Sequence, residues 1–434
     1  YHYQNEPQPL TPALAEQLYG HLAPELVAAR AAAQQADAPL PAIPPEQAHS
    51  TLYTSVSQLQ TFYQNPYEYF LKYGLRLKKR EEFEISPADS GTFYHNVMEH
   101  FIAANQPHLA TLDEAALAKQ TALALAWAES QQPLLVELSD EQRRFAYQLN
   151  HLKQVAAAMT RLLVNQAQLS TATPLHTEQT FGTTTAALPP LVHRLADQVH
   201  QVQVRGRIDR IDQIQTAQQT YQMVLDYKSG QRQFDLVRAL SGLDLQLLTY
   251  LAALQNSAPT TKLAGAFYLH LGNEVLRASD LKRRSAVANT LQNHRYNGLI
   301  LNDPALLTAV DTELGQTGRG QLLKVSYTKS KQTYRANQGS ALVTPAQLKW
   351  LLDQNTALIT KAATAILTGV NTLAPYRLVE ATTASNGLTN SDFLPIFAFD
   401  NVLDQDKFRD ITLSEAAVKQ QLQALDEPTE NKEG

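Results

Sequence analysis

The tightest constraint on this fold is the stretch Arg205-Gly-Arg-Ile-Asp-Arg-Ile-Asp212, followed after a short loop by Val224-Leu-Asp-Tyr-Lys-Ser-Gly230. Both segments read as strands, yet they place carboxylates and a lysine among residues a sheet would bury. On an extended chain alternate side chains share a face, so Asp226 and Lys228 point the same way while Tyr227 turns into the sheet. Asp209 on the preceding strand is then set to meet Asp226 across the ladder. Two convergent carboxylates are hard oxygen ligands of the kind Mg2+ prefers. An adjacent ammonium can orient a water or steady the charge that builds on a phosphate. A solvated hairpin with ordinary surface charges would show the same local pattern, so the rest of the chain must decide.

That strand pair ends a region, His176 to Tyr227, of short β-branched segments and turns, as in a meander of strands. Helical spacing surrounds it. Residues 11–35 are rich in Ala and Leu and read as a helix, and the run Ala38-Pro-Leu-Pro-Ala-Ile-Pro-Pro45 then breaks the chain. Ser57 is placed to cap a helix carrying Leu59, Phe62, Tyr63, Tyr67 and Phe70, with Pro66 expected to break or kink it. Further helices are expected at about 90–105, 112–130 and 139–168. Leu243 to Leu254 again has helical spacing, Leu263 to Leu271 reads as a buried strand, and Pro345 to Leu367 as a long amphipathic helix. The alternation predicts an α/β fold, a mixed central sheet flanked by helices. Three regions are expected. Residues 1–48 form an N-terminal helical segment, either the end of a preceding domain or a helix packed on the main one. Residues 49–400 form that main domain, and 401–434 a C-terminal helix with an acidic tail, disordered from Asp426 to Gly434.

With 434 residues and 44% hydrophobic content the chain can build a substantial core. It has no cysteine, which excludes disulfides, thiolate metal sites and Cys nucleophiles and fits a reducing, cytoplasmic setting. No apolar run approaches the roughly 20 residues that span a bilayer, so no membrane association is expected. The start, Tyr1-His-Tyr-Gln, has neither an initiator Met nor a signal-peptide pattern and reads as part of something longer. A net charge of −5 argues against a basic coat for nonspecific nucleic-acid binding. Local clusters remain: Lys72 to Arg80, Lys282-Arg-Arg284, and Lys324 to Arg335, where Tyr327 and Tyr334 alternate with the cations and could stack on bases.

Two other groups offer chemistry. His95 lies in Ser90-Gly-Thr-Phe-Tyr-His-Asn-Val-Met-Glu-His-Phe101, with Glu99 one helical turn later. A neutral imidazole can ligate a metal and a carboxylate beside it can orient the ring. Gln246 and Tyr250, also four apart, could reach a phosphate or hold Lys228.

Taken in order, Gly91-x3-His95-x3-Glu99, Gly206-x2-Asp209, Asp226-x-Lys228-x-Gly230 and Gln246-x3-Tyr250 resemble the RecB-like branch of the PD-(D/E)XK nuclease superfamily. The resemblance implies a restriction-endonuclease-like core with helical additions. It makes His95, Asp209 and Asp226 metal ligands for Mg2+ or Mn2+, with the main-chain carbonyl of Tyr227 as a further ligand. Lys228 becomes the catalytic lysine, and Gln246 and Tyr250 supporting residues. Asp212 matches no ligand position as well as Asp209 does and reads as a strand-end charge.

The segment Ser55 to Leu77, with Asn297-Gly-Leu-Ile-Leu-Asn-Asp303, Pro375-Tyr-Arg377 and Phe397-Ala-Phe-Asp400, looks like the C-terminal nuclease region of the AddB/RexB family. That likeness implies a DNA exonuclease domain of a helicase–nuclease that resects double-strand breaks for recombinational repair, acting on the 5′-ended strand beside an AddA/RexA-type subunit. The alternatives are an inactive DNA-binding scaffold and a stand-alone RecB-like exonuclease. No G-x4-G-K-[ST] loop occurs, so an ATP-driven motor would lie elsewhere. The family's iron–sulfur cluster requires four cysteines. Here Asn65 stands at the first position and 384–397 offers none, so no such cluster is expected. Packing of Tyr63, Tyr67 and Phe70 against Phe393, Ile396, Phe397 and Phe399 is expected to join those distant segments instead.

Overall fold

In a computed structural model, residues 51–426 are described apart from 79–84, 184, 231, 273–285, 380–383, 390 and 403–406. The expected helix at 11–35, the break at 38–45, Lys282 to Arg284 and the tail beyond Asp426 lie outside the described residues.

A mixed sheet organises the chain. Its strands are β1 (Thr51–Ser55), β2 (Thr173–Phe181), β3 (Leu191–Arg194), β4 (Gln201–Gln215), β5 (Thr220–Lys228), β6 (Lys262–His270) and β7 (Asn297–Leu301), followed by Ser340–Val343. β4 is the hub. Its first part pairs with β1 in parallel over Gln201 to Arg205 and with β3 antiparallel over Gln201 to Val204. From Gly206 it pairs with β2, and from Arg210 with β5 as well. Asp209 therefore sits where β4 changes partners. From β5 the sheet continues through β6, parallel, to β7, antiparallel.

Helices cover both faces, because the buried strands present apolar side chains alternately to each. Pro87–Asn105, Glu114–Gln131 and Arg143–Gln168 enclose a core containing Phe93, Val97, Met159, Met223 and Phe267. Val56–Gln64, Gln246–Ser257 and Pro345–Leu367 enclose a second, containing Leu59, Val204, Leu247, Leu251 and Leu351. The C-terminal helix Glu415–Ala424 buries Val418 and Leu422 in that second core.

Helix boundaries follow caps more closely than apolar spacing did. The helix expected to begin at Ser57 is capped by Ser55, because Ser55 is the serine with Gln58 at the third helical position. The Gln58 side chain accepts the Ser55 N–H at 2.9 Å, closing a reciprocal box. Pro66 does end it. Asn65 closes the first helix, and its side chain accepts the Tyr67 N–H at 3.2 Å to start the next, with Pro66 at a position that needs no N–H donor. The helix expected from 90 begins at Pro87, capped by Ser86 and Asp89. The span expected as one helix over 139–168 is two, Pro133–Glu141 and Arg143–Gln168, parted by the extended backbone of Gln142. The helix expected from Leu243 begins at Gln246.

The aromatic join forms with different membership. Tyr67 and Leu71 pack with Phe393 and Phe397, with Phe70 and Phe399 at the margin, and the Tyr67 and Phe397 ring centroids are 6.0 Å apart. Tyr63 does not take part. Its hydroxyl donates to the Leu358 carbonyl at 2.8 Å and its ring covers Gly242, where a Cβ would meet the ring at 2.3 Å. Ile396 is 41% exposed and lies outside the cluster. No helix among the described residues is long and apolar enough to cross a membrane.

Candidate active site

The change of partners along β4 opens the sheet at Gly206 to Asp209, and the polar groups gather there. A Cβ at Gly206 would lie 2.7 Å from the Phe181 ring and 3.5 Å from Tyr250, so this position admits only glycine while those rings hold their places. Asp209 is 7% exposed, and its Oδ2 accepts the main-chain N–H of Tyr227 at 2.7 Å. That bond ties β4 to β5 one step beyond the last regular pair, Arg210 with Leu225.

The structure brings His95 to the same point from the opposite core. Its Nδ1 lies 3.5 Å from an oxygen of Asp209 and 3.5 Å from an oxygen of Glu178, and its ring meets Tyr227 edge-on at 5.9 Å. Asp226 is 1% exposed. One of its oxygens accepts from Gln246 Nε2 at 2.7 Å and the other pairs with Lys228 Nζ. Gln246 Nε2 also lies 2.9 Å from the Tyr250 hydroxyl. The shared face expected for Asp226 and Lys228 is thus present, and Gln246 holds Asp226 rather than Lys228, with Tyr250 bonded to Gln246.

Electrostatics single out the carboxylates. Burial, and then the charge of Asp226, push Asp209 well above the usual carboxylate range. Burial likewise raises Asp226, against the pull of Lys228. For His95 burial is the largest influence and acts to lower its pKa, but Glu178, Asp209 and Asp226 outweigh it and the net direction is upward. Buried acids held this close together are short of positive charge.

Glu178 was not found from the sequence. It lies on β2, where the flanking pairs Thr177 with Arg210 and Gln179 with Ile208 set it beside Asp209. Its φ of 51° is left-handed, an unusual state for a non-glycine residue and one that re-aims a side chain. Arg207 Nε pairs with its other oxygen at 2.7 Å. No spacing rule links a lone acid on a polar strand to a residue 31 positions later; the only local sign is that Glu178 is the one acid in β2. Glu99, expected to orient the His95 ring, is raised by burial and by the charge of Glu178; the carboxylates placed at 3.5 Å from the ring are Glu178 and Asp209.

His95, Glu178 and Asp209 each offer one ligand atom, all within 4.8 Å of one another. The His95 Nδ1 is buried with no aligned hydrogen-bond partner, and 3.5 Å is a poor hydrogen bond to either acid. An imidazole lone pair facing two carboxylates across such a gap suits a divalent cation.

Asp212 corrects the sequence reading. β4 runs on to Gln215, so Asp212 lies within the strand, 1% exposed, taking Arg210 Nε and Nη2 in two parallel bonds of 2.6 Å. Both charges can stay buried because the guanidinium fork satisfies both carboxylate oxygens.

The sequence model of the PD-(D/E)XK nuclease superfamily matches residues 53–365, well over half of the chain. The chain belongs to that superfamily. It is therefore a nuclease domain, a phosphodiester hydrolase of a family that works with divalent metal. Its curated relatives include proteins named as a subunit of an ATP-dependent helicase/deoxyribonuclease. The one from Limosilactobacillus reuteri is 38% identical over 95% of this chain and 32% of its own length. Those from Lactiplantibacillus plantarum and Latilactobacillus sakei are 37% and 36% identical, over 94% and 97% of this chain and 32% and 34% of theirs. The nuclease chain thus spans about a third of the length of these relatives.

Proposed function

We propose that the chain is the DNA-cleaving domain of a helicase–nuclease, using Mg2+ or Mn2+, and that it degrades the 5′-ended strand during double-strand-break processing beside an AddA/RexA-type subunit. The observation that carries the cleavage reading is the meeting of His95, Glu178 and Asp209 within 4.8 Å, next to the Asp226–Lys228 pair. The names of the relatives support the DNA substrate and the helicase partner.

In this reading His95, Glu178 and Asp209 would hold the cation, and Asp226 and the Tyr227 carbonyl would serve as further ligands. A divalent ion bound there would supply positive charge to a phosphate oxygen and acidify a water. Lys228, on the rim with its side chain 23% exposed, meets the incoming phosphate and steadies the negative charge that grows as the bond breaks. Gln246 fixes one oxygen of Asp226, and Tyr250, whose pKa burial raises well above the ordinary value, remains a neutral hydroxyl that holds Gln246. The Tyr227 N–H fixes Asp209 in the same way. These bonds set the acids before substrate arrives, so little reorganisation is left for the reaction.

The test is degradation of end-labelled linear single-stranded DNA with Mg2+ or with EDTA. Loss of product with EDTA, and in Asp226→Ala and Lys228→Ala, is expected, and labels at either end read the polarity. Equal activity in both variants would remove the catalytic assignment.

A further inference from the structure

From Leu314 to Leu352 the chain carries six Lys and Arg residues and no Asp or Glu, in a protein whose net charge is −5. At the centre of that run is an antiparallel hairpin, Val325–Thr328 with Thr333–Ala336. Tyr327 and Tyr334 are register partners there, their ring centroids 4.9 Å apart. Both are half-buried, while Lys329, Lys331 and Arg335 around them are exposed. The hairpin is firmly anchored. Tyr327 N donates to Gly318 O at 2.8 Å, Gly320 N to Val325 O at 2.9 Å and Asn337 N to Lys324 O at 2.8 Å, and Tyr334 packs on the core below.

Its position relates it to the cleavage site. The register runs from Asp226 on β5 to Tyr268 on β6 to Asn297 on β7. Asn297 Oδ1 accepts from Lys324 Nζ at the root of the hairpin. With strands about 4.8 Å apart, Asn297 lies about 10 Å from Asp226 on the same level of the sheet. Cations continue across the interval, for Lys228 Nζ and the Arg232 guanidinium lie 5.4 and 4.9 Å from the Tyr268 ring centroid.

We propose that this hairpin guides single-stranded DNA to the cleavage site, an inference that rests on the DNA-nuclease reading. Unpaired bases stack on the exposed faces of Tyr327 and Tyr334, and Lys329, Lys331 and Arg335 take the phosphates on either side. Lys324 and the cations over Tyr268 then carry the backbone toward Lys228. A duplex would hide the base faces on which the tyrosine pair depends, so the strand must be single.

The experiment measures binding of a fluorescent oligothymidylate in EDTA across a salt series, with cleavage in Mg2+ followed alongside. Lys329→Ala/Lys331→Ala should flatten the salt slope by about 1.4, as two lost single-strand phosphate contacts require. Tyr327→Leu should weaken binding about tenfold with the slope unchanged, and Tyr327→Phe should restore it. Binding of a blunt duplex should not respond to Tyr327→Leu. Wild-type affinity and slope in the Lys and Leu variants, with wild-type cleavage intact, would overturn the guide alone. A wild-type chain that neither binds nor cuts the oligonucleotide would overturn the nuclease reading itself.

Discussion

The Asp209 carboxylate accepts the main-chain N–H of Tyr227 at 2.7 Å, and this bond fixes the distance between the two acid-bearing strands of the nuclease. It also holds the acid in the dry interior, beside Asp226, where its charged form is disfavoured. Stability should therefore depend on pH in a particular direction.

Asp209 has a folded pKa raised above its unfolded value, so its contribution is full below the ordinary carboxylate range near pH 4 and is lost as pH rises through the raised value. His95 is also raised and acts in the same sense. In EDTA the wild type should lose stability relative to Asp209→Asn between about pH 5.5 and about pH 8, and Mn2+ should raise the wild-type midpoint more at the higher pH. Thermal unfolding of both proteins at the two pH values checks this. A difference independent of pH would show that Asp209 does not carry the shift.

The buried Arg210–Asp212 pair makes a separate prediction. Asp212→Ala leaves the guanidinium buried without its partner and should cost about 3–5 kcal/mol in urea unfolding. Arg210→Met/Asp212→Leu should recover most of that loss. Replacing Asp410, whose bond to Arg377 is exposed, should leave the midpoint unchanged.

The aromatic join predicts a third result. Phe397 is 2% exposed against Tyr67, so Phe397→Ala should cost about 3–5 kcal/mol. Ile396→Ala, at an exposed position, should change little. Limited proteolysis near residues 65–75 should accelerate only in the Phe397 variant.

The site was legible in the sequence where its parts lie at fixed spacing. Asp226 and Lys228 share a strand face by alternation, and Gln246 and Tyr250 share a helix face by the four-residue turn; both pairings are in direct contact. Glu178 was not legible, because it reaches Asp209 through strand register and a left-handed backbone, neither of which leaves a spacing signal. Asp212 was misread for a related reason. Its meaning depends on β4 running to Gln215 and on the Arg210 fork beside it. Helix ends moved by two or three residues wherever a reciprocal cap, such as Ser55 with Gln58, outweighed apolar spacing.

The central claim is that an imidazole and carboxylates from three separate elements close around one cation. Mn2+ binding by electron paramagnetic resonance, on wild type, His95→Ala, Glu178→Gln and Asp209→Asn, tests it most directly. Affinity about 10–100-fold weaker in each variant, with circular dichroism unchanged, is the expected result. Wild-type Mn2+ affinity in all three folded variants would contradict the account.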